Sequence, residues 1–138
     1  MKDFNTHISN RVEQFNYDET YRNGIIRMAR FEKKGKFGSY RYRIMLTQEG
    51  KAKILFDCSN CSLFTISVMN ISCKQMEAHL ELSPDGFYFN TDNNFSKRKI
   101  KKGKMELFPG IIFMRYTAIV IEGFPYTEAE IYIQCQYI

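Results

Sequence analysis

From residue 21 onward, apolar and polar side chains alternate in short runs rich in β-branched and aromatic residues, and clusters of Gly, Asn, Asp and Pro divide one run from the next. A period of two places successive side chains on opposite faces of a strand, so the pattern predicts strands. The run "SYRYRIML" puts Tyr40, Tyr42, Ile44 and Leu46 on one face and Arg41 and Arg43 on the other, one face to pack and one to meet water. "SLFTISVMNISC" sets Phe64, Ile66 and Val68 against Thr65 and Ser67. "QMEAHLEL" sets Met76, Ala78, Leu80 and Leu82 against Glu77, His79 and Glu81, which places His79 on a solvent face.

The remaining runs complete the set. "GIIRMARFE" reads as one strand ending at the glycine turn "KKGKFG", and "AKILFDCS" as another. "SPDG" is a β-turn leading into "FYFNT", which closes a hairpin with the strand before it. "IIFMRYTAIVIEG" is apolar on both faces and reads as a central strand, preceded by "KMELF". In the last run Ala129, Ile131, Ile133, Cys135 and Tyr137 alternate with Glu130, Gln134 and Gln136. Eight or nine strands at roughly ten-residue spacing predict an all-β, antiparallel β-sandwich of jelly-roll type. No longer repeat argues for a propeller or solenoid.

Residues 1–20 follow another rule. They are polar, and Phe4, Ile8, Val12 and Phe15 share the spacing of one helical stripe, so this segment is a short helix or an arm that orders against a partner. Two regions result, an N-terminal arm or helix over 1–20 and a sandwich domain over 21–138. The N-terminus lacks the apolar core of a signal peptide, and no apolar run is long enough to span a bilayer. The expected location is therefore cytoplasmic, or a virion if the protein is viral, without membrane insertion.

Composition agrees with a folded domain, with 44% hydrophobic residues and 15% aromatic. The net charge of +5 changes the picture only locally. Six of the twenty Lys and Arg fall in "SKRKIKKGK": Lys97, Arg98, Lys99, Lys101, Lys102 and Lys104. The fourteen that remain are balanced by fifteen Asp and Glu, so the excess is one basic protrusion rather than a basic face. It sits between two strand patterns, with Gly103 in the bend of an expected long hairpin. Its candidate roles are a solvated tip, a contact for an acidic partner or nucleic acid, and a localisation signal; with only Phe95 and Ile100 interleaved with the charges, nucleic acid is the less favoured partner.

Chemistry has little to work with. Cys58 and Cys61 form a C-x-x-C, the weak metal candidates of this chain, but Cys73 and Cys135 are single and neither histidine extends a zinc pattern. Cys73 and Cys135 lie in apolar strand patterns, where free cysteine packs as a small hydrophobe. Glu128 and Glu130 share a strand face, and no nucleophile elbow, phosphate loop or metalloprotease helix is present. The expectation is a non-enzymatic protein without cofactor. Tyr40, Tyr42, Tyr88, Tyr116, Tyr126 and Tyr132 are too many for each hydroxyl to be buried and satisfied, so several are expected outside, where tyrosine suits sugar stacking or a protein interface.

Taken in order, "YRNGIIRMARF", "GSYRYRIML", "KILFDCS", "FTISVMNIS", "DGFYFNT" and "EAEIYIQCQYI" resemble the β-sandwich head domains of bacteriophage tail fibres and related virion proteins. The likeness spans residues 21–138 and rests on strand order and aromatic phrases. It implies a structural or receptor-binding protein without catalysis, a homo-oligomer in contact with other structural proteins of the same assembly; exposed tyrosines make a glycan a candidate receptor, and a carbohydrate-binding module is the alternative reading. The compact length implies a decoration, collar or tip component rather than a stalked fibre.

Overall fold

The structure is a computed structural model that describes residues 25–27, 30–92, 97–112 and 114–138. The expected N-terminal arm or helix lies outside these residues. Eleven strands run in order: β1 (Ile25–Arg27), β2 (Arg30–Lys34), β3 (Phe37–Met45), β4 (Lys51–Asp57), β5 (Cys61–Asn70), β6 (Met76–Ser83), β7 (Asn90–Thr91), β8 (Arg98–Ile100), β9 (Met105–Pro109), β10 (Tyr116–Gly123) and β11 (Glu128–Tyr137).

The strands make two sheets. One has the order β1-β4-β10-β6-β7 with β8 also on β6, the other β2-β3-β11-β5-β9. Pairings nest: β3 with β11, β4 with β10, β5 with β9 and β6 with β8, as in a long hairpin. Rolling that hairpin over adds the pairs β11 with β5 and β10 with β6. This is the jelly roll the alternation predicted. All pairings are antiparallel except β1 with β4, which is parallel.

Alternation works as expected at the core. Tyr40, Ile44, Ile66, Val68, Ile131 and Ile133 face Ile54, Phe56, Leu80, Ile119 and Ile121 across the sandwich, all buried. Tyr40 packs edge-on against Phe56 at 5.2 Å between centroids, and Phe56 against Phe64 at 5.6 Å, geometry that aromatic quadrupoles favour. The Tyr40 hydroxyl lies 2.6 Å from that of Tyr137, so burial leaves it satisfied.

Three elements differ from expectation. The run "GIIRMARFE" divides between the two sheets as β1 and β2 instead of forming one strand. The run from Ile111 enters its strand only at Tyr116, leaving Ile111, Ile112 and Met114 exposed, and from there β10 is central as expected. The hairpin after "SPDG" is real but brief, with only Asn90 and Thr91 pairing to β6. Asp85 accepts the amides of Phe87 and Tyr88, and this local bonding competes with the ladder.

Two turn glycines separate conformational cost from steric cost. Gly50 (φ 75°) and Gly103 (φ 73°) both occupy the left-handed region. A Cβ on Gly50 would collide with the Gly123 carbonyl oxygen, whereas one on Gly103 meets nothing within 4 Å. Gly103→Ala is expected to cost about 1 kcal/mol and Gly50→Ala about 2 kcal/mol or more, as read from urea denaturation midpoints.

Candidate functional site

Four connections gather at one end of the sandwich: 46–50, 71–75, 101–104 and 124–127. Backbone bonds tie them in pairs. Tyr126 N–H donates to the Leu46 carbonyl (3.2 Å) and Gly123 N–H to Gly50 (2.9 Å), while Gly103 N–H donates to Asn70 (2.8 Å) and Asn70 N–H to Lys104 (2.9 Å). The Asn70 side chain, with no exposed surface, is the fastener. Its amide donates to the carbonyls of Lys74 (2.7 Å) and Ile100 (2.9 Å), and its carbonyl oxygen accepts from the amide and hydroxyl of Ser72. One side chain thereby fixes both the β5–β6 and the β8–β9 connections.

The basic stretch is not a hairpin. Strand β8 pairs with β6 in one sheet and β9 with β5 in the other, so residues 101–104 cross between sheets, with Ile100 anchored in the core. Folding also divides its charges. Lys97 Nζ binds Glu122 at 2.9 Å, and Arg98 reaches Glu106 (3.4 Å) and the Leu107 carbonyl (3.2 Å). Lys99, Lys101, Lys102 and Lys104 are exposed and make no ion pair with the described residues. Three of these four stand on the crossing itself. Beside them, Lys74 holds its ammonium 5.1 Å from the Phe124 ring centroid.

The 124–127 connection carries the aromatics. Phe124, Pro125, Tyr126 and Thr127 form a turn closed by Thr127 N–H to the Phe124 carbonyl (3.3 Å) and by the Thr127 hydroxyl to the same oxygen (2.7 Å). Proline in the second place and a positive φ in the third define a type II turn, whose third place ordinarily holds glycine. Here it holds Tyr126 at φ 64°, with the side chain 60% exposed and Phe124 57% exposed beside it. Two shallow grooves flank the 71–75 connection. One, of about 440 Å³, is lined by Lys74, Glu77, Glu122, Phe124 and Pro125; the other, of about 370 Å³, by Asn70, Ile71, Cys73, Lys102 and Gly103.

Of the six tyrosines expected near the surface, Tyr88 and Tyr126 are exposed. Tyr40 and Tyr42 are buried, because their strand turns that face inward and Tyr137 satisfies the Tyr40 hydroxyl. Tyr116 and Tyr132 are half-covered: Arg115 lies over the ring of Tyr116, and Tyr132 donates to Glu130 (2.7 Å) under Arg41. Phe124, Lys74 and Asn70 were not singled out by the sequence. The phrase "FPYT" held the available signal, since aromatics on a tight proline turn have no core to enter.

The other chemical candidates serve the fold. Cys58 and Cys61 close the β4–β5 turn and point inward. The Cys58 thiol donates to the Thr117 hydroxyl (3.4 Å) and the Phe56 carbonyl (3.6 Å), and burial pushes it up to about 12. Cys61 is raised as well, first by its hydrogen bond with Cys135 and then by burial. Nucleophilic attack requires thiolate, which these sites disfavour. Among the described residues no three His, Cys, Asp or Glu side chains converge on a metal-sized site. Cys135 is buried as expected, but Cys73 is exposed because the strand ends at Asn70.

His79 is on the outer face of its sheet, as predicted, yet only 7% exposed. Its Nε2 lies 3.1 Å from Glu81, which also binds Lys53 (3.1 Å), and the Lys53 ammonium sits 3.4 Å from the Phe89 ring centroid. The Phe89 ring thus lies over Lys53 on this face. Burial would raise Glu81, but its bonds to His79 and Lys53 bring it below the usual carboxylate range. Glu122 is lowered chiefly by Lys97, and Glu130 by Tyr132 and Arg43. Glu130 is therefore held in a structural ion-pair group.

The opposite end differs in chemistry. There the chain-end amide of Ile138 bonds Asn60, Gly110 N–H bonds the Phe64 carbonyl, and Leu63, Gln136 and Phe37 stand in one cross-strand row. Leu63, Ile111 and Ile138 are each more than half exposed, and Phe37, Ile112 and Met114 partly so.

The fold and this paired-end arrangement define a jelly-roll domain with a basic, aromatic end and an apolar end. The chain belongs to the family described as "Domain of unknown function (DUF6385)", whose model matches residues 57–137 and so includes three of the four connections of the basic end. No curated protein matches the chain. Among solved structures, the PBSX exported protein XepA is similar with a TM-score of 0.56 at 9% identity, over 72% of this chain and 37% of XepA. PirA gives 0.48 at 5% identity over 76% and 97% of the two chains. Yersinia pseudotuberculosis-derived mitogen (YPM) gives 0.44 at 10% identity over 72% and 86%. The XepA likeness is one of fold, and this chain spans little more than a third of that protein. Among the described residues no helix is long and apolar enough to cross a membrane.

Two predictions follow from the fastener and the carboxylates. Asn70→Ala orphans the buried Ile100 carbonyl and is expected to cost about 2–4 kcal/mol, while single Lys→Ala changes at 101, 102 and 104 stay within about 0.5 kcal/mol in the same denaturation assay. Glu81, Glu122 and Glu130 titrate below their unfolded values, so their stabilisation is full above the ordinary carboxylate range and is lost as pH falls through the lowered values. Denaturation midpoints should hold from neutral pH down to about 5 and then decline, and Glu122→Gln should flatten that decline.

Proposed function

We propose that the chain is a non-enzymatic structural or adhesive component of a larger assembly, such as a phage particle, attached by its apolar end and meeting a partner with its basic, aromatic end. The observation that carries this reading is the opposition of the two ends on one jelly roll. An apolar patch around Leu63 and Ile111 suits a lasting contact with other copies or neighbouring structural proteins. Unpaired lysines and exposed rings at the far end suit recognition. The resemblance of residues 21–138 to tail-fibre head domains supports the same reading.

Light scattering on the purified chain at low and high salt tests the assembly. A discrete, salt-resistant oligomer is expected, and Leu63→Ser with Ile111→Ser should reduce it to a folded monomer whose thermal midpoint no longer depends on protein concentration. A monomer in every condition would overturn the self-association on which this reading rests.

A further inference from the structure

We infer that the end formed by connections 46–50, 71–75, 101–104 and 124–127 binds an acidic polysaccharide, with Phe124 and Tyr126 stacking on sugar rings and Lys74, Lys101, Lys102 and Lys104 pairing with the polymer's carboxylates. The inference rests on the reading of the chain as an adhesive component and names the ligand class of its basic end.

The first support is strain. Tyr126 holds φ 64° in the third place of a type II turn, a position where a side chain costs about 1–2 kcal/mol and glycine costs nothing. Its ring recovers little through packing, being 60% exposed. An exposed aromatic kept on a strained backbone at a loop tip marks a functional position.

The second support is charge. The four connections carry four lysines against one carboxylate, Glu49. The acidic residues lining the adjacent groove are occupied or faced by cations: Glu122 binds Lys97 and Lys51, and Glu77 stands opposite Lys99. Anions approaching this end therefore meet a net positive surface.

The combination selects the ligand. An acidic protein surface would use the same lysines, and poly-glutamate in the test below stands for it. Nucleic acid is better matched by arginine forks and by successive stacking platforms along a groove. Here the arginine of the basic stretch, Arg98, is directed at Glu106 and Leu107, and both rings sit on one four-residue turn. A sugar polymer with spaced carboxylates offers flat C–H faces to those rings and single charges to lysine ammoniums. The Asn70 fastener holds the crossing that carries three of those lysines, which lowers the ordering cost of binding.

The test is binding of the full chain to alginate, dextran, poly-glutamate and poly(dT), by calorimetry at low and moderate salt. Alginate should bind, more weakly as salt rises; dextran should not bind, and poly-glutamate and poly(dT) should bind at least about tenfold more weakly than alginate. Lys101→Ala, Lys102→Ala and Lys104→Ala together should weaken alginate binding by about tenfold or more. Tyr126→Gly is the discriminating variant: it should weaken alginate binding roughly threefold to tenfold while leaving the thermal midpoint unchanged or higher, because glycine relieves the turn. Equal binding of poly-glutamate, tighter binding of poly(dT), binding of neutral dextran, unchanged affinity in Tyr126→Gly, or no binding of alginate would each overturn the inference. Loss of the inference with the oligomer intact leaves the assembly reading standing; a monomeric chain that still binds alginate separates the two in the other direction.

Discussion

Successive strands of this fold alternate between sheets, and that constraint governs where everything else lies. From β3 to β6 and again from β8 to β11, each connection must cross the gap of about 10 Å between the layers, so these connections collect at the two ends. Residues far apart in the chain, such as Lys74, Lys102 and Tyr126, become neighbours for that reason alone. The same crossing rule sends Leu63, Ile111 and Ile138 to the other end. The opposition of a charged end to an apolar one follows from topology acting on loop composition.

Within that frame, the basic end is more rigid than its loops suggest. Asn70 spends all of its side-chain bonding capacity on two connections, in a place where a buried amide without partners would be costly. At the neighbouring turn the backbone is bent through a tyrosine instead of a glycine. One residue stabilises the end and the other destabilises it. A sequence selected for stability alone would keep the first and replace the second, so the pair separates what holds the end together from what the end presents.

Much of the architecture was legible because period-two alternation reports which side chains face inward, and sheet pairing follows from it. Ile44, Ile66, Leu80 and Ile131 were placed by that rule. It failed where a local preference or a longer-range cover intervened. Asp85 diverted "FYFNT" into a bonded turn, Phe89 came to lie over Lys53, and His79 and Leu55 are buried on an otherwise solvent-facing side. Counting tyrosines also misled for Tyr40 and Tyr42. Hydroxyl satisfaction depends on a partner 97 residues away, which no window along the chain contains. The basic stretch was legible as a cluster, but its division into paired and unpaired charges was not, since Glu122 and Glu106 come from other strands.

That division bears on what the free lysines can do. Lys97 and Arg98 lie on or beside a paired strand, where cross-strand and cross-layer carboxylates are in reach, and each finds one. Beyond Ile100 the chain leaves the sheet, and no carboxylate of the described residues follows it into the crossing. Three like charges on a short, fastened turn repel one another, and water and salt screen that repulsion only in part. A polymer whose anions are spaced along a chain relieves it at several points at once, which a single small anion does not. Multipoint contact on a rigid convex end gives weak individual bonds, fast exchange and strength through number, the behaviour suited to an adhesive surface repeated over many copies.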